Sequence, residues 1–210
     1  MKARLKQLGR GLAAPVGDRL ARLGISADAV TWAGVVSAGV AAWGFARGDR
    51  PLALGALLAS GLCDLLDGAV ARAGGRKGTL FGAALDSTLD RYGEGLVLGA
   101  ITVRAVTQTE HPEHRALFGT LAVLAGIGSF LVSYVRARSE GLGIACEVGF
   151  LERPERLALL VALAAWGDGG LPWILGALAV LTHVTFGQRL IHVRRASRLG
   201  DRVTPPGVGS

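Results

Sequence analysis

Asp64-Leu65-Leu66-Asp67-Gly68-Ala69-Val70-Ala71-Arg72, followed after nine residues by Gly82-Ala83-Ala84-Leu85-Asp86-Ser87-Thr88-Leu89-Asp90, sets four carboxylates inside two long apolar stretches. An aspartate at the centre of a membrane helix costs ~2.5–3.5 kcal/mol, so four cost roughly 10–14 kcal/mol. That rivals the net stability of a whole domain. These groups must therefore face a polar cavity and be compensated by cations. Spacings of three residues (64 to 67) and four (86 to 90) each return to one helix face, giving each helix an acidic stripe.

Between the stripes lies Gly74-Gly75-Arg76-Lys77, short and turn-prone, which makes the two helices an antiparallel hairpin. Counting outward from that turn puts Asp67 and Asp86 at one depth and Asp64 and Asp90 about one helical turn deeper. Converging carboxylates offer hard oxygen ligands suited to Mg²⁺ or Mn²⁺, and four of them suit a pair of ions. Gly68 stands one turn after Asp64 and Gly82 one turn before Asp86, and with Ala71 they keep bulk off the acidic faces. The competing reading is a set of structural salt bridges to Arg72 and Arg91.

The rest of the chain fits a membrane setting. Half of its 210 residues are hydrophobic and 32 are glycine, without a collagen repeat. Mean hydropathy is +0.43, and small residues let membrane helices pack closely. Apolar stretches at roughly 29–46, 52–72, 80–106, 116–137, 155–167 and 171–193 approach the ~20 residues a span needs, the fifth being short. The fold class expected is all-α: a polytopic membrane protein with six transmembrane helices. At the N-terminus, Leu5, Leu8, Leu12, Val16, Leu20 and Leu23 recur at helical spacing among arginines, predicting an amphipathic surface helix. A solvated basic tail is the alternative. The organisation expected is a juxtamembrane segment at 1–27, a six-helix domain at 28–198 and a disordered tail at 199–210. A net charge of +7 suits anionic membrane lipids, and with this hydropathy no nucleic-acid partner is expected. Cys63 and Cys146 form no disulfide or zinc pattern.

Orientation follows from the cations, because Lys and Arg concentrate on cytoplasmic connections. Eighteen fall in the N-terminal segment, the loop after the second span, the segment between the fourth and fifth spans, and the C-terminal tail; four fall at the opposite connections. A soluble helical bundle gives no reason for that alternation. Both termini and the hairpin turn are thus expected in the cytoplasm.

With all eight positions of Asp64-x-x-Asp67-Gly68-x-x-Ala71-Arg72 and Gly82-x-x-x-Asp86-x-x-x-Asp90 filled, the stretch resembles the signature of the CDP-alcohol phosphatidyltransferases. That resemblance implies a six-helix enzyme, usually a homodimer, in the plasma membrane with its active site open to the cytoplasm. It implies two divalent ions, Mg²⁺ or Mn²⁺, on Asp64, Asp67, Asp86 and Asp90, with Asp90 also acting as general base. A hydroxyl of the acceptor alcohol attacks the lipid-linked phosphorus of a CDP-lipid, and CMP departs. Gly68, Arg72 and Thr79 are implied as CDP-lipid contacts, as are Asp28, Ala29, Val30 and Thr31, where Ala27 stands in place of the family's proline. Ser26 and Asp28 also read as simple helix caps.

The acceptor is read from Ser133-Tyr134-Val135-Arg136-Ala137-Arg138 and from Phe150-Leu151-Glu152-Arg153-Pro154-Glu155-Arg156-Leu157. These runs resemble the branch of prokaryotic enzymes, with archaeal ether-lipid counterparts, that use inositol 1-phosphate. Ser133, Arg136, Arg138, Arg153, Arg156 and Arg189 are the implied acceptor-phosphate residues, with Glu152 and Glu155 orienting the arginines. The plainer reading makes the arginines membrane anchors. Glycerol 3-phosphate is the alternative acceptor. A transporter would be expected to repeat internally, and residues 1–105 and 106–210 show no such repeat. A non-catalytic scaffold has no need of four aspartates in lipid.

In a chain whose native cysteines are replaced, a cysteine at Gly75 should react with a membrane-impermeant thiol reagent only after the cytoplasmic face is opened. Labelling of intact cells at Gly75 would reverse the orientation.

Overall fold

The computed structural model describes residues 2–74, 79–108 and 112–198. The basic turn at 75–77 and the tail at 199–210 lie outside the described residues, as do the side chains of residues 2–8 and 10. Regular structure among the described residues is entirely helical: α1 (Lys2–Arg22), α2 (Ala27–Arg47), α3 (Arg50–Ala73), α4 (Leu80–Thr107), α5 (Arg115–Gly141), α6 (Arg153–Trp166) and α7 (Leu171–Arg198), with 3-10 turns at Pro112–His114 and Asp168–Gly170. Among the described residues, four helical segments, built on α2, α3, α5 and α7, are long and apolar enough to cross a membrane. α4 has the length, with 28 residues, and carries Asp86, Asp90, Arg91 and Glu94. α6 has only 14 residues because Gly167 ends it. The chain divides into two compact units, residues 1–101 and 102–210.

In the first unit, the α2–α3 turn is built by local chemistry. Gly48 takes φ 72° at the end of α2, a left-handed conformation that glycine adopts without strain. Asp49 then caps α3 by accepting from Leu52 N at 3.0 Å, with Pro51 at the helix start, where a missing N–H costs nothing. The two helices run back to back through small residues. A Cβ on Gly44 would stand 2.6 Å from Ala53 N, and one on Gly34 would stand 3.1 Å from Cys63 Cβ.

α1 packs against α3. A Cβ at Gly17 would come 2.6 Å from Ala69 Cβ and 2.8 Å from the Ala69 carbonyl carbon. Ala13 is buried in the same helix, while Leu12 and Leu23 remain 80% and 76% exposed. α1 is therefore two-faced, docking small residues on α3 and presenting leucines outward.

The second unit centres on α5 and α7. Phe118, Ala122, Ala125, Ser129 and Val132 share one buried face of α5, against Leu171, Leu175, Leu178 and Thr182 of α7. At Gly128 the helices approach so closely that a Cβ would overlap the Thr182 hydroxyl. At the other end of the helix, the turn before α7 is held by a two-pronged ion pair. Arg104 Nη2 donates to Asp168 Oδ2 at 2.8 Å and Arg104 Nε to Oδ1 at 3.1 Å, with both side chains about four-fifths buried.

Gly17→Ala should lower stability by about 1–3 kcal/mol through overpacking against α3. Adding Ala69→Gly should recover part of that loss. Thermal unfolding of the purified variants measures both.

Candidate active site

Asp64 and Asp67 leave α3 one helical turn apart, and Asp86 comes from α4. One oxygen of each lies within 4.8 Å of the others. Three ionised carboxylates at that separation repel by about 3 kcal/mol per pair at an effective dielectric of 20. Cationic charge among them relieves that repulsion. All the donors are hard oxygens, matching Mg²⁺ or Mn²⁺. The residues therefore fit the divalent metal that their spacing predicts.

The walls of this cluster are as bare as the sequence reading expects. A Cβ on Gly82 would stand 3.0 Å from Thr79 Oγ1 and 3.4 Å from Asp28 Oδ1. A Cβ on Gly68 would stand 3.2 Å from Arg72 Nη1. Two pairs of residues expected at the CDP-lipid, Asp28 with Thr79 and Gly68 with Arg72, are thereby brought together. Thr79 also caps α4, its hydroxyl accepting from Gly82 N at 2.9 Å.

α2 supplies the remaining side. Ser26 is its N-cap, accepting from Ala29 N at 3.1 Å, so the helix-cap reading holds for Ser26. Asp28 lies inside the first turn instead. Ala29 is exposed and Val30 buried. Thr31, 8% exposed, donates to Asp67 Oδ2 at 3.1 Å. Asp90 is not among the oxygens gathered within 4.8 Å. Its Oδ2 lies 3.6 Å from Arg91 Nη1, an ion pair of the kind the competing reading expects.

The acceptor arginines belong to the second unit and fall into two groups. Arg156 and Arg189 are 1% and 2% exposed. Arg189 Nε donates to Val148 O at 2.9 Å, and its Nη1 donates to Val132 O. Arg156 reaches Leu151 O at 3.4 Å and Ser133 Oγ at 3.5 Å. Arg136 pairs instead with Glu140 on its own helix, Nε to Oε1 at 2.8 Å, so the carboxylate that orients it is neither Glu152 nor Glu155. Arg138 is exposed and Arg153 half-buried at the start of α6.

What sequence reasoning missed is how the irregular stretch 142–152 is anchored. α7 presents Thr185, Arg189 and His192 at helical spacing, each holding a backbone group of that stretch. Leu151 N donates to Thr185 Oγ1 at 3.1 Å, Arg189 donates to Val148 O, and His192 Nε2 meets Ala145 O at 2.9 Å. Gly149 lets the chain pass: its φ is 128°, and a Cβ would stand 2.5 Å from Thr185 Cγ2. The available signal was a polar stripe on an apolar last helix, coupled with a glycine between Val148 and Phe150.

A helical protein with membrane-length helices and three carboxylates gathered close to Gly68 and Gly82 has the equipment for metal-assisted chemistry on phosphate esters. The chain belongs to the CDP-alcohol phosphatidyltransferase family, whose model matches residues 25–185, and it is a metal-dependent enzyme of that class. It is 42% identical over 183 residues to the archaetidylinositol phosphate synthase of Methanothermobacter thermautotrophicus, covering 85% of this chain and 87% of that one. The crystal structure of Mycobacterium tuberculosis phosphatidylinositol phosphate synthase with CDP-DAG bound matches with a TM-score of 0.76 at 30% identity, covering 94% of this chain and 97% of the other. The same enzyme in complex with manganese and citrate matches with a TM-score of 0.76 at 30% identity, covering 94% and 92%.

Gly149→Ala should cost about 2–3 kcal/mol, since it forces a side chain into positive φ and against Thr185. Thr185→Ser in the same chain, which removes Cγ2 and keeps the hydroxyl that accepts from Leu151 N, should relieve only the steric part. Unfolding midpoints of the three variants test this.

Proposed function

We propose that the chain transfers a phosphatidyl-type group from a CDP-lipid, diacyl or ether-linked, to a hydroxyl of inositol 1-phosphate, releasing CMP in phospholipid synthesis. The observation that carries the acceptor is the pair Arg156 and Arg189, guanidiniums almost wholly buried and held by backbone carbonyls. Lipid anchoring would leave such groups at the membrane surface. Buried and oriented, they suit a phosphate dianion, with Ser133, Arg136, Arg138 and Arg153 completing the acceptor subsite.

Asp64, Asp67, Asp86 and Asp90 hold the metal, as two ions. Bound there, divalent cations offset charge on the pyrophosphate and on the departing CMP. Asp90 takes the proton of the attacking hydroxyl. Gly68 admits the cytidine edge that a side chain would block, and Arg72 holds phosphate. Asp28, Ala29, Val30 and Thr79 complete the CDP-lipid contacts.

In this reading the protein is a homodimer crossing the plasma membrane six times, with α1 on the surface and the catalytic domain spanning 28–198. The site opens to the cytoplasm. Trp43, Trp166 and Trp173, each more than half exposed, support membrane-interface positions near the 47–50 and 167–170 turns. Arg47 sits over the Trp43 ring at 5.5 Å, which suits the same level.

Purified protein given labelled CDP-lipid, Mg²⁺ or Mn²⁺, and each alcohol in turn tests the proposal. Inositol 1-phosphate should turn over, while free inositol leaves the arginines without their anion and should be poor. Glycerol 3-phosphate carries the charge but lacks ring hydroxyls to hold its attacking oxygen. Arg156→Ala or Arg189→Ala should raise the acceptor KM several-fold to a few hundred-fold, about 1–3 kcal/mol, and leave the CDP-lipid KM nearly unchanged. Asp90→Asn should bind CDP-lipid without turnover. Turnover with glycerol 3-phosphate and none with inositol 1-phosphate would replace the acceptor.

A further inference from the structure

We infer that Thr31 is a positioning residue for the metal: its hydroxyl fixes the Asp67 carboxylate in the orientation that binds the cation. The inference rests on the proposed reading of Asp67 as a metal ligand and changes the work assigned to Thr31, which the family pattern gives to the nucleotide.

The geometry begins with Ser26. By capping α2 through Ala29 N, it sets where the helix starts and so which way residue 31 faces. Thr31 Oγ1 lies 3.1 Å from the carbonyl of Ala27, one turn back, and 3.1 Å from Asp67 Oδ2. A threonine in a helix finds its hydroxyl held by such a back-bond, with its rotamer restricted by β-branching. The hydroxyl carries one proton, and the carboxylate is the stronger acceptor. On the other side of the carboxyl group, Gly68 N–H donates to Asp67 Oδ1. Both oxygens of Asp67 are thereby held, one from α2 and one from its own helix.

Each carboxylate oxygen has two lone pairs. One donor per oxygen fixes the plane of the group and leaves the remaining lone pairs for a cation shared with Asp64 and Asp86, whose ligand atoms lie within 4.8 Å. A residue that meets the nucleotide alone has no need to donate to a carboxylate while only 8% exposed. Partners that orient a metal ligand commonly change metal affinity by 10–100-fold when removed.

The test uses the full-length protein in lipid nanodiscs and Mn²⁺ as the probe. Mn²⁺ binding is followed by the loss of its free electron-paramagnetic signal without substrate, and CDP-lipid KM is measured separately at saturating Mn²⁺. Thr31→Val should weaken Mn²⁺ binding about 10-fold or more, with little change in CDP-lipid KM once Mn²⁺ saturates. Thr31→Ser, which keeps the hydroxyl, should stay within about threefold of the parent in Mn²⁺ affinity. Should Thr31→Val not fold, Thr31→Ala is read in the same way. Parental Mn²⁺ affinity in the valine or alanine variant overturns the inference, as does equal weakening in the serine variant. A raised CDP-lipid KM at saturating Mn²⁺ with unchanged Mn²⁺ binding also overturns it, returning Thr31 to the nucleotide. Asp67→Asn separates the two levels: it should lose Mn²⁺ binding, and if it binds like the parent, the metal reading of Asp67 fails and the inference with it.

Discussion

Mutual repulsion among Asp64, Asp67 and Asp86 is the constraint around which the first unit is organised. Three carboxylate oxygens within 4.8 Å do not remain together by accident of packing, because each pair pushes apart and each group gives up water. The surrounding helices supply the restoring force. α2 and α3 approach at Gly34 and Gly44 closely enough to exclude a methyl group, which fixes α3 against α2 along its length. Gly82 lets α4 come up to Asp28 and Thr79. Small residues that look like generic membrane packing thus place charged ones.

The second unit solves a different problem, that of holding irregular backbone beside a span. Residues 142–152 have carbonyls and amides without helical partners, and in a low-dielectric setting each unmet group is expensive. Thr185, Arg189 and His192 supply those partners from consecutive turns of α7. Under the proposed function Arg189 would carry two burdens there, supporting the backbone at Val148 and Val132 and offering the rest of its guanidinium to an anion. A backbone-supported arginine is rigid before any ligand arrives, which lowers the entropy of capture.

The cluster of Asp64, Asp67 and Asp86 was legible because lipid makes any carboxylate conspicuous and the 64-to-67 spacing is local to one helix, whereas Asp90, read from the 86-to-90 spacing, lies outside the gathered oxygens. Five of the six apolar stretches end within a few residues of α2, α3, α4, α5 and α7, because turn-forming Gly, Asp and Pro bound them. The short fifth stretch, at 155–167, corresponds to α6, which Gly167 terminates. Less of what depends on pairing between elements was legible. Arg136 turned to Glu140 on its own helix, and no spacing rule ties Gly149 to Thr185. Thr31 was singled out for the nucleotide, yet its hydroxyl meets Asp67, 36 residues away. Residues that touch across helices leave no periodic trace in sequence.

The docking of Gly17 on Ala69 has a consequence for how the protein is made. α1 is synthesised first, but its seat on α3 does not exist until some fifty further residues have been synthesised and α2 and α3 have inserted as a pair. Through that interval α1 must wait as a separate helix, and exposed Leu12, with Leu23 just past the helix end, would suit a wait on the bilayer surface. Its final step is then a lateral closure onto a finished hairpin, at Ala69, two residues beyond Asp67 on α3. An enzyme assembled in that order cannot present a completed metal site while still emerging from the ribosome's first membrane insertion.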